Sequence, residues 1–119
     1  MLEFTKLVID DDGYVSPSSL AKQFHTTVKE IAVVTGLSVD VVTKKKRFQA
    51  TPAQRRLNDM IQIINQVTPW CGNSFQAYAW YCSEQLPSFG DLTARDLVNR
   101  GMADAVKKYL ARTSEGGFA

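Results

Sequence analysis

The sequence predicts an all-α protein, and three observations carry that prediction. Apolar residues recur at three- and four-residue spacing from Leu20 to Leu110. Cap-and-proline pairs stand at Ser16-Pro17 and Thr51-Pro52, and Gly36 and Gly101 interrupt the patterned runs. With 119 residues, 45% of them apolar, the chain has the size of one ordinary soluble domain or two very small ones. A chain of that length buries enough surface to hold a core with neither disulfides nor a structural metal.

Residues 1–15 read as an N-terminal arm. Leu2, Phe4, Lys6 and Val8 alternate with Glu3, Thr5, Leu7 and Ile9, which predicts a short extended segment ended by the turn signal Asp10-Asp11-Asp12-Gly13. Ser16 then caps a first helix over 17–25, with Pro17 at its first position and Leu20, Ala21 and Phe24 on one face. Val28, Ile31, Ala32 and Thr35 define a second helix, closed by Gly36. Ser38 caps a third, with Val39 and Val42 pointing inward. Its far end is Lys44-Lys45-Lys46-Arg47, where positive charge also suits the helix dipole, and it stops near Phe48.

Thr51-Pro52 opens the longest helix, whose stripe of Leu57, Met60, Ile61, Ile64 and Val67 runs to Pro69. Asn73 caps the next, apolar nearly all round from Phe75 to Cys82, a pattern that predicts a central buried helix. After a loop with Pro87 and Gly90, Thr93 and Asp96 stand at capping-box spacing and open a helix that Gly101 ends. Met102, Val106, Tyr109 and Leu110 give a last helix one packed face and leave Lys107, Lys108 and Arg112 to water. Residues past Thr113 read as a flexible tail.

Charge is unevenly spread along this series. Residues 1–15 carry one base against four acids, residues 16–56 eight bases against two acids, and the remainder is nearly neutral. The excess of +6 is therefore confined to one third of the chain, the footprint of a nucleic-acid face. On charge alone, a solvated helix end is the reading that prevails.

Spacing adds a second signal. Ala32 as a small contact, Gly36 in the turn and Val42 as a β-branched lock, flanked by Ile31 and Leu37, fit a helix-turn-helix over residues 16–50. The exposed residues of its second helix, Ser38, Asp40, Thr43, Lys44 and Arg47, are then the candidates for entering the major groove of double-stranded DNA. Lys44 and Arg47 suit guanine O6 and N7. Asp40 suits cytosine N4, or holds an arginine in place. Lys45, Lys46, Arg55 and Arg56 suit phosphates. Such proteins read palindromes as homodimers.

Other features point away from chemistry. His25 is the lone histidine and stands at a helix end. Cys71 and Cys82 lack metal-ligand spacing and read as core thiols. Trp80, with Phe75, Tyr78 and Tyr81, reads as core rather than as a base-stacking platform. No phosphate-cradling glycine loop or nucleophile motif occurs, so the expectation is a protein that is not an enzyme and takes no cofactor. With no secretory signal and no long apolar run, a cytoplasmic location without membrane insertion is expected.

From Ser16 to Ala119 the order of motifs resembles the antitoxins of the Xre/MbcA/ParS type. The residues that carry the likeness are Arg56-Leu57 opening the long helix, Ala77 through Trp80, and Pro87 with Gly90. Leu97 through Gly101, Ala105-Val106 through Leu110, and the ending Gly116-Gly117-Phe118-Ala119 complete it. Two positions depart from the pattern: Thr93-Ala94 replaces a Thr-Pro, and Thr35 replaces an aliphatic residue or alanine.

The resemblance implies an antitoxin that silences a RES-domain toxin acting on NAD, with residues 51–119 as the toxin-binding part. It also implies that Arg112, Thr113, Ser114, Glu115, Gly116, Gly117, Phe118 and Ala119 block the toxin's active site. On composition alone that tail is a frayed terminus. A stand-alone helix-turn-helix regulator with no toxin partner is the alternative.

Overall fold

A computed structural model describes residues 2–115, with side chains described for residues 3–113. Among them the regular structure is helical: α1 (Leu2–Val8), α2 (Pro17–Gln23), α3 (Val28–Thr35), α4 (Val39–Thr43), α5 (Lys45–Phe48), α6 (Thr51–Cys71), α7 (Ser74–Ser83), α8 (Ala94–Asn99) and α9 (Ala103–Glu115). A 3-10 turn lies at Pro87–Phe89. The predicted all-α class is what the chain adopts.

The expected caps form at Ser16, Ser38, Asn73 and Thr93, and Thr27 adds one that was not expected. The side chains of Ser16, Thr27, Ser38 and Asn73 accept from Ser19, Glu30, Val41 and Gln76 N–H, satisfying donors that the first helical turn leaves free. Thr93 and Asp96 form a full capping box. Gly36 sits in the left-handed region at φ 72°, where a side chain is strained, and so ends α3.

The long helix α6 is the axis around which the others pack. Its buried face is Ala53, Leu57, Met60, Ile61, Ile63, Ile64 and Val67. One hydrophobic core runs from Phe4 in α1 to Leu110 in α9, continuous across residue 50. Phe4, Phe24 and Tyr78 stack in series, with ring centroids 5.5 and 4.2 Å apart, tying α1, the end of α2 and α7 together.

Several expectations are corrected. The N-terminal arm is helical rather than extended, because Phe4 and Val8, four residues apart, share one helix face and both are buried. Strand-like pairing in this arm is one bridge between Ile9 and Val15 around the aspartate turn, whose Asp10 carboxylate accepts from Asp12 and Tyr14 N–H; a second bridge joins Leu86 to Leu92 around the 3-10 turn. The third predicted helix breaks in two at Lys44, which adopts extended backbone angles. Thr43 Oγ1 donates back to Val39 O at 2.7 Å and Lys44 N–H closes on Asp40 O, so α4 terminates locally. Val39, expected inside, is 48% exposed: a helix of five residues offers one inward position, and Val42 takes it.

Thr51 is the first helical residue of α6 rather than its cap; Ala50 precedes it without a side-chain bond. The helix also passes Pro69 to Cys71, with Thr68 Oγ1 donating to Ile64 O in the turn before the proline. α7 is not buried all round. It lies along α6 and buries Ala77 and Tyr81, while Phe75 is 41% exposed and Trp80 half-buried. Met102 is exposed, and Lys107, expected in water, is half-buried. Finally, α9 continues to Glu115 instead of stopping at Thr113.

Candidate nucleic-acid interface

The segment α3–Gly36–α4 brings its expected inward residues together. Ile31, Ala32 and Val42 are buried and Leu37 packs against the core. Thr35, polar where an apolar residue is the rule, is buried without penalty. Its hydroxyl donates to Ile31 O at 2.7 Å and lies 3.4 Å from Leu37 N–H as acceptor, so both roles of the oxygen are used.

Ser38, Asp40, Thr43, Lys44, Lys45, Lys46 and Arg47 are all exposed. Ser38, Asp40, Thr43, Lys44, Lys45 and Arg47 nevertheless have internal partners. Ser38 Oγ is occupied as the α4 cap, and Thr43 Oγ1 by its bond to Val39 O. Asp40 lies 3.6 Å from Lys44 Nζ and 3.5 Å from Arg47 Nη1, so it holds an arginine and a lysine. Lys45 pairs at 3.2 Å with Asp12 from the acidic turn. Each of these side chains is more than half exposed, so each pair is worth about 0–1 kcal/mol and can be exchanged for a phosphate.

Arg55 and Arg56 part company. Arg55 is exposed on the outer face of α6, with Asp59 four residues on. Arg56 shares a face with Ala53 and Met60 and is half-buried. Its Nη1 donates to Thr35 O at 2.6 Å and to Asn99 Oδ1 at 3.2 Å. Asn99 Nδ2 in turn donates to Val34 O at 3.0 Å. A guanidinium expected at a phosphate thus also closes the C-terminal end of α3 within the protein.

Sequence reasoning missed Asn99 entirely, since no local signal links it to a carbonyl 65 positions earlier. The role of Arg56 carried a faint signal, its place three residues after Ala53 and four before Met60 on the stripe. Gln54 was missed as well. It is buried, accepts from Val15 N–H at 2.9 Å and donates to Val15 O and Phe48 O at 3.0 and 2.8 Å.

Of the tail candidates, Arg112 is exposed, Thr113 Oγ1 donates to Tyr109 O at 2.9 Å, and Ser114 and Glu115 continue the helix. Gly116, Gly117, Phe118 and Ala119 lie outside the described residues. A groove of about 630 Å³ runs between the start of α6 and the α8–α9 junction, lined among others by Arg55, Arg56, Asp59, Val98 and Asp104.

Burial pushes the Cys71 and Cys82 thiols up, and likewise the Tyr78 and Tyr81 hydroxyls, so these groups stay neutral at ordinary pH. Among the described residues no acidic, histidine or cysteine cluster could hold a metal, and no helix is long and apolar enough to cross a membrane. Comparison with known proteins gave no matching family, no matching curated protein and no matching solved structure.

Proposed function

We propose that the chain is a DNA-binding antitoxin: α3, the Gly36 turn and α4 act as a helix-turn-helix on operator DNA, and the C-terminal part neutralises a toxin. One observation supports the DNA half above others. The left-handed turn at Gly36 joins two helices with Ala32 and Val42 buried at facing positions, and four exposed cations, Lys44 to Arg47, follow directly. Lys44 and Arg47 face base edges, while Lys45, Lys46 and Arg55 meet phosphates. In phosphate contact Lys45 gives up Asp12, and in base contact Lys44 and Arg47 give up Asp40. Arg56 is left out of this set, because its Nη1 is engaged within the protein.

The antitoxin half rests on the motif order from Arg56-Leu57 to the terminal Gly116-Gly117-Phe118-Ala119, which resembles Xre/MbcA/ParS antitoxins. In this reading the end of α9 and the residues after it enter the active-site cleft of a RES-domain toxin, with Phe118 as an apolar anchor and Glu115 as an anion for cleft arginines. The protein binds its operator as a homodimer.

Two measurements test the two halves separately. A duplex carrying the promoter of its own gene is expected to shift with the purified protein at low salt; no shift removes the DNA half. Co-expression with the adjacent gene is expected to permit growth with the full chain and to arrest it when residues 112–119 are deleted. Growth that is equal with and without the tail removes the neutralisation mechanism. An adjacent gene that is harmless alone leaves the stand-alone regulator.

A further inference from the structure

A five-residue helix has no orientation of its own, being far shorter than the dozen or so residues a free helix needs in water. α4 buries one side chain, Val42, and α5 buries none. Something else must aim them. The direction of α4 is set by the turn at Gly36, and that turn is set by the last carbonyls of α3, which have no partner within the helix.

Those carbonyls are held from the other half of the chain. Asn99 at the end of α8 donates to Val34 O, and Arg56 in the second turn of α6 donates to Thr35 O and to Asn99 Oδ1, so the two donors also brace each other. The fit around the turn is close. A Cβ on Gly36 would stand 3.3 Å from Arg56 Nη1 and 3.5 Å from Asn99 Cγ, besides requiring a strained φ. At the other end of the segment, Gln54 of the same α6 turns donates to Phe48 O, the last residue of α5. Residues 35–48 are thus pinned at both ends by the first turns of α6, with α8 as a brace.

We propose that Arg56 and Asn99 are positioning residues for DNA recognition: they hold the α3–α4 turn so that α4 presents its exposed face at a defined angle, and neither touches the nucleic acid. This rests on the DNA-binding reading above and deepens it. The idea separates cleanly from a phosphate role. A cation on a phosphate releases counterions, so its loss lowers the slope of log affinity against log salt by about 0.9. A positioning residue, and above all a neutral one such as Asn99, changes affinity at every salt concentration and leaves the slope alone.

The test uses the full chain and a labelled duplex selected by it from a random pool, with fluorescence anisotropy between about 50 and about 200 mM salt. Amide hydrogen exchange of residues 37–43 in the free protein is measured in parallel, and circular dichroism checks folding. Asn99→Ala and Arg56→Met are expected to weaken binding by about tenfold, the scale of one lost hydrogen bond to a buried carbonyl. They should do so with an unchanged salt slope and faster exchange in α4. Lys46→Ala is expected to lower the slope by about 0.9 with exchange unchanged.

If Arg56→Met lowers the slope as Lys46→Ala does and leaves exchange alone, Arg56 is a phosphate contact and the proposal falls. It falls equally if Asn99→Ala binds and exchanges like the wild type; this variant decides should Arg56→Met fail to fold. If the wild type selects no duplex, the DNA-binding reading is lost and the recognition role with it. The exchange data then still report whether the pair orders α4.

Discussion

Charge does different work at the two ends of the molecule. On α4 and α5, Asp40 is shared between Lys44 and Arg47 at 3.5–3.6 Å, and all three side chains are more than half exposed. Between α6 and α9, Lys107 meets Asp59 at 2.7 Å with both side chains less than a quarter exposed. The first cluster is loose and solvated, so a phosphate can replace the carboxylate at little cost. The second is shielded from water and fastens the last helix to the central one, helped by Gln66 donating to the Lys107 carbonyl. Neighbouring arginines show the same split within one helical turn: Arg55 is exposed, and Arg56 is enclosed with two acceptors. Both settings pair cations with aspartates; burial decides whether the pairing is loose or holds the fold.

The largest effect expected on this contrast comes from the core beneath the shielded end. Ile64→Ala, at a fully buried α6 position, should cost about 2–5 kcal/mol in a denaturant titration. The salt slope of DNA binding should stay as it was; a changed slope would mean that the two ends are not independent. Lys107→Met comes next, at about 1–3 kcal/mol, because Asp59 is left half-buried without its cation. A loss no greater than that of an exposed lysine would place this pair with the loose cluster.

Thr93→Ala removes the α8 cap and should cost about 1 kcal/mol by thermal melting. Asp96 in the same box is held below the usual aspartate range, chiefly by the Thr93 backbone N–H that it accepts. A lowered folded pKa means that this stabilisation is fully present above the unfolded value of about 3.9. It is lost as pH falls through the folded value. Asp96→Asn should therefore flatten the acid limb of the stability profile relative to wild type, and parallel limbs would show that the carboxylate contributes nothing.

Smallest of all is Asp40→Asn, within about 0.5 kcal/mol in stability. It should tighten DNA binding, because Lys44 and Arg47 lose an internal competitor. Weaker binding would instead mark Asp40 as a base contact.

Much of this fold was legible because it is local. Ser16, Ser38, Asn73 and Thr93 cap where a short oxygen stands before an apolar run, and Gly36 ends α3 where only glycine takes the left-handed turn at no cost. The α6 stripe of Leu57, Met60, Ile61, Ile64 and Val67 is buried as its spacing requires. What misled was also local. Leu2 to Ile9 alternates well enough to suggest a strand, and the choice fell to helix once Phe4 found Phe24. The run Phe75 to Cys82 is apolar on every side, so no pattern within it says which side meets α6.

Composition and spacing thus sufficed for the helical class, most helix boundaries, the basic stretch from Lys44 to Arg47 and the exposure of that stretch, since each depends on residues within a turn or two of one another. Where α3 ends against α8, which arginine is enclosed, and which lysine locks α9 were settled by long-range packing. A hydrogen bond from Asn99 to Val34, or an ion pair from Lys107 to Asp59, forms only after the chain has brought distant helices within reach, and nothing near either residue records it.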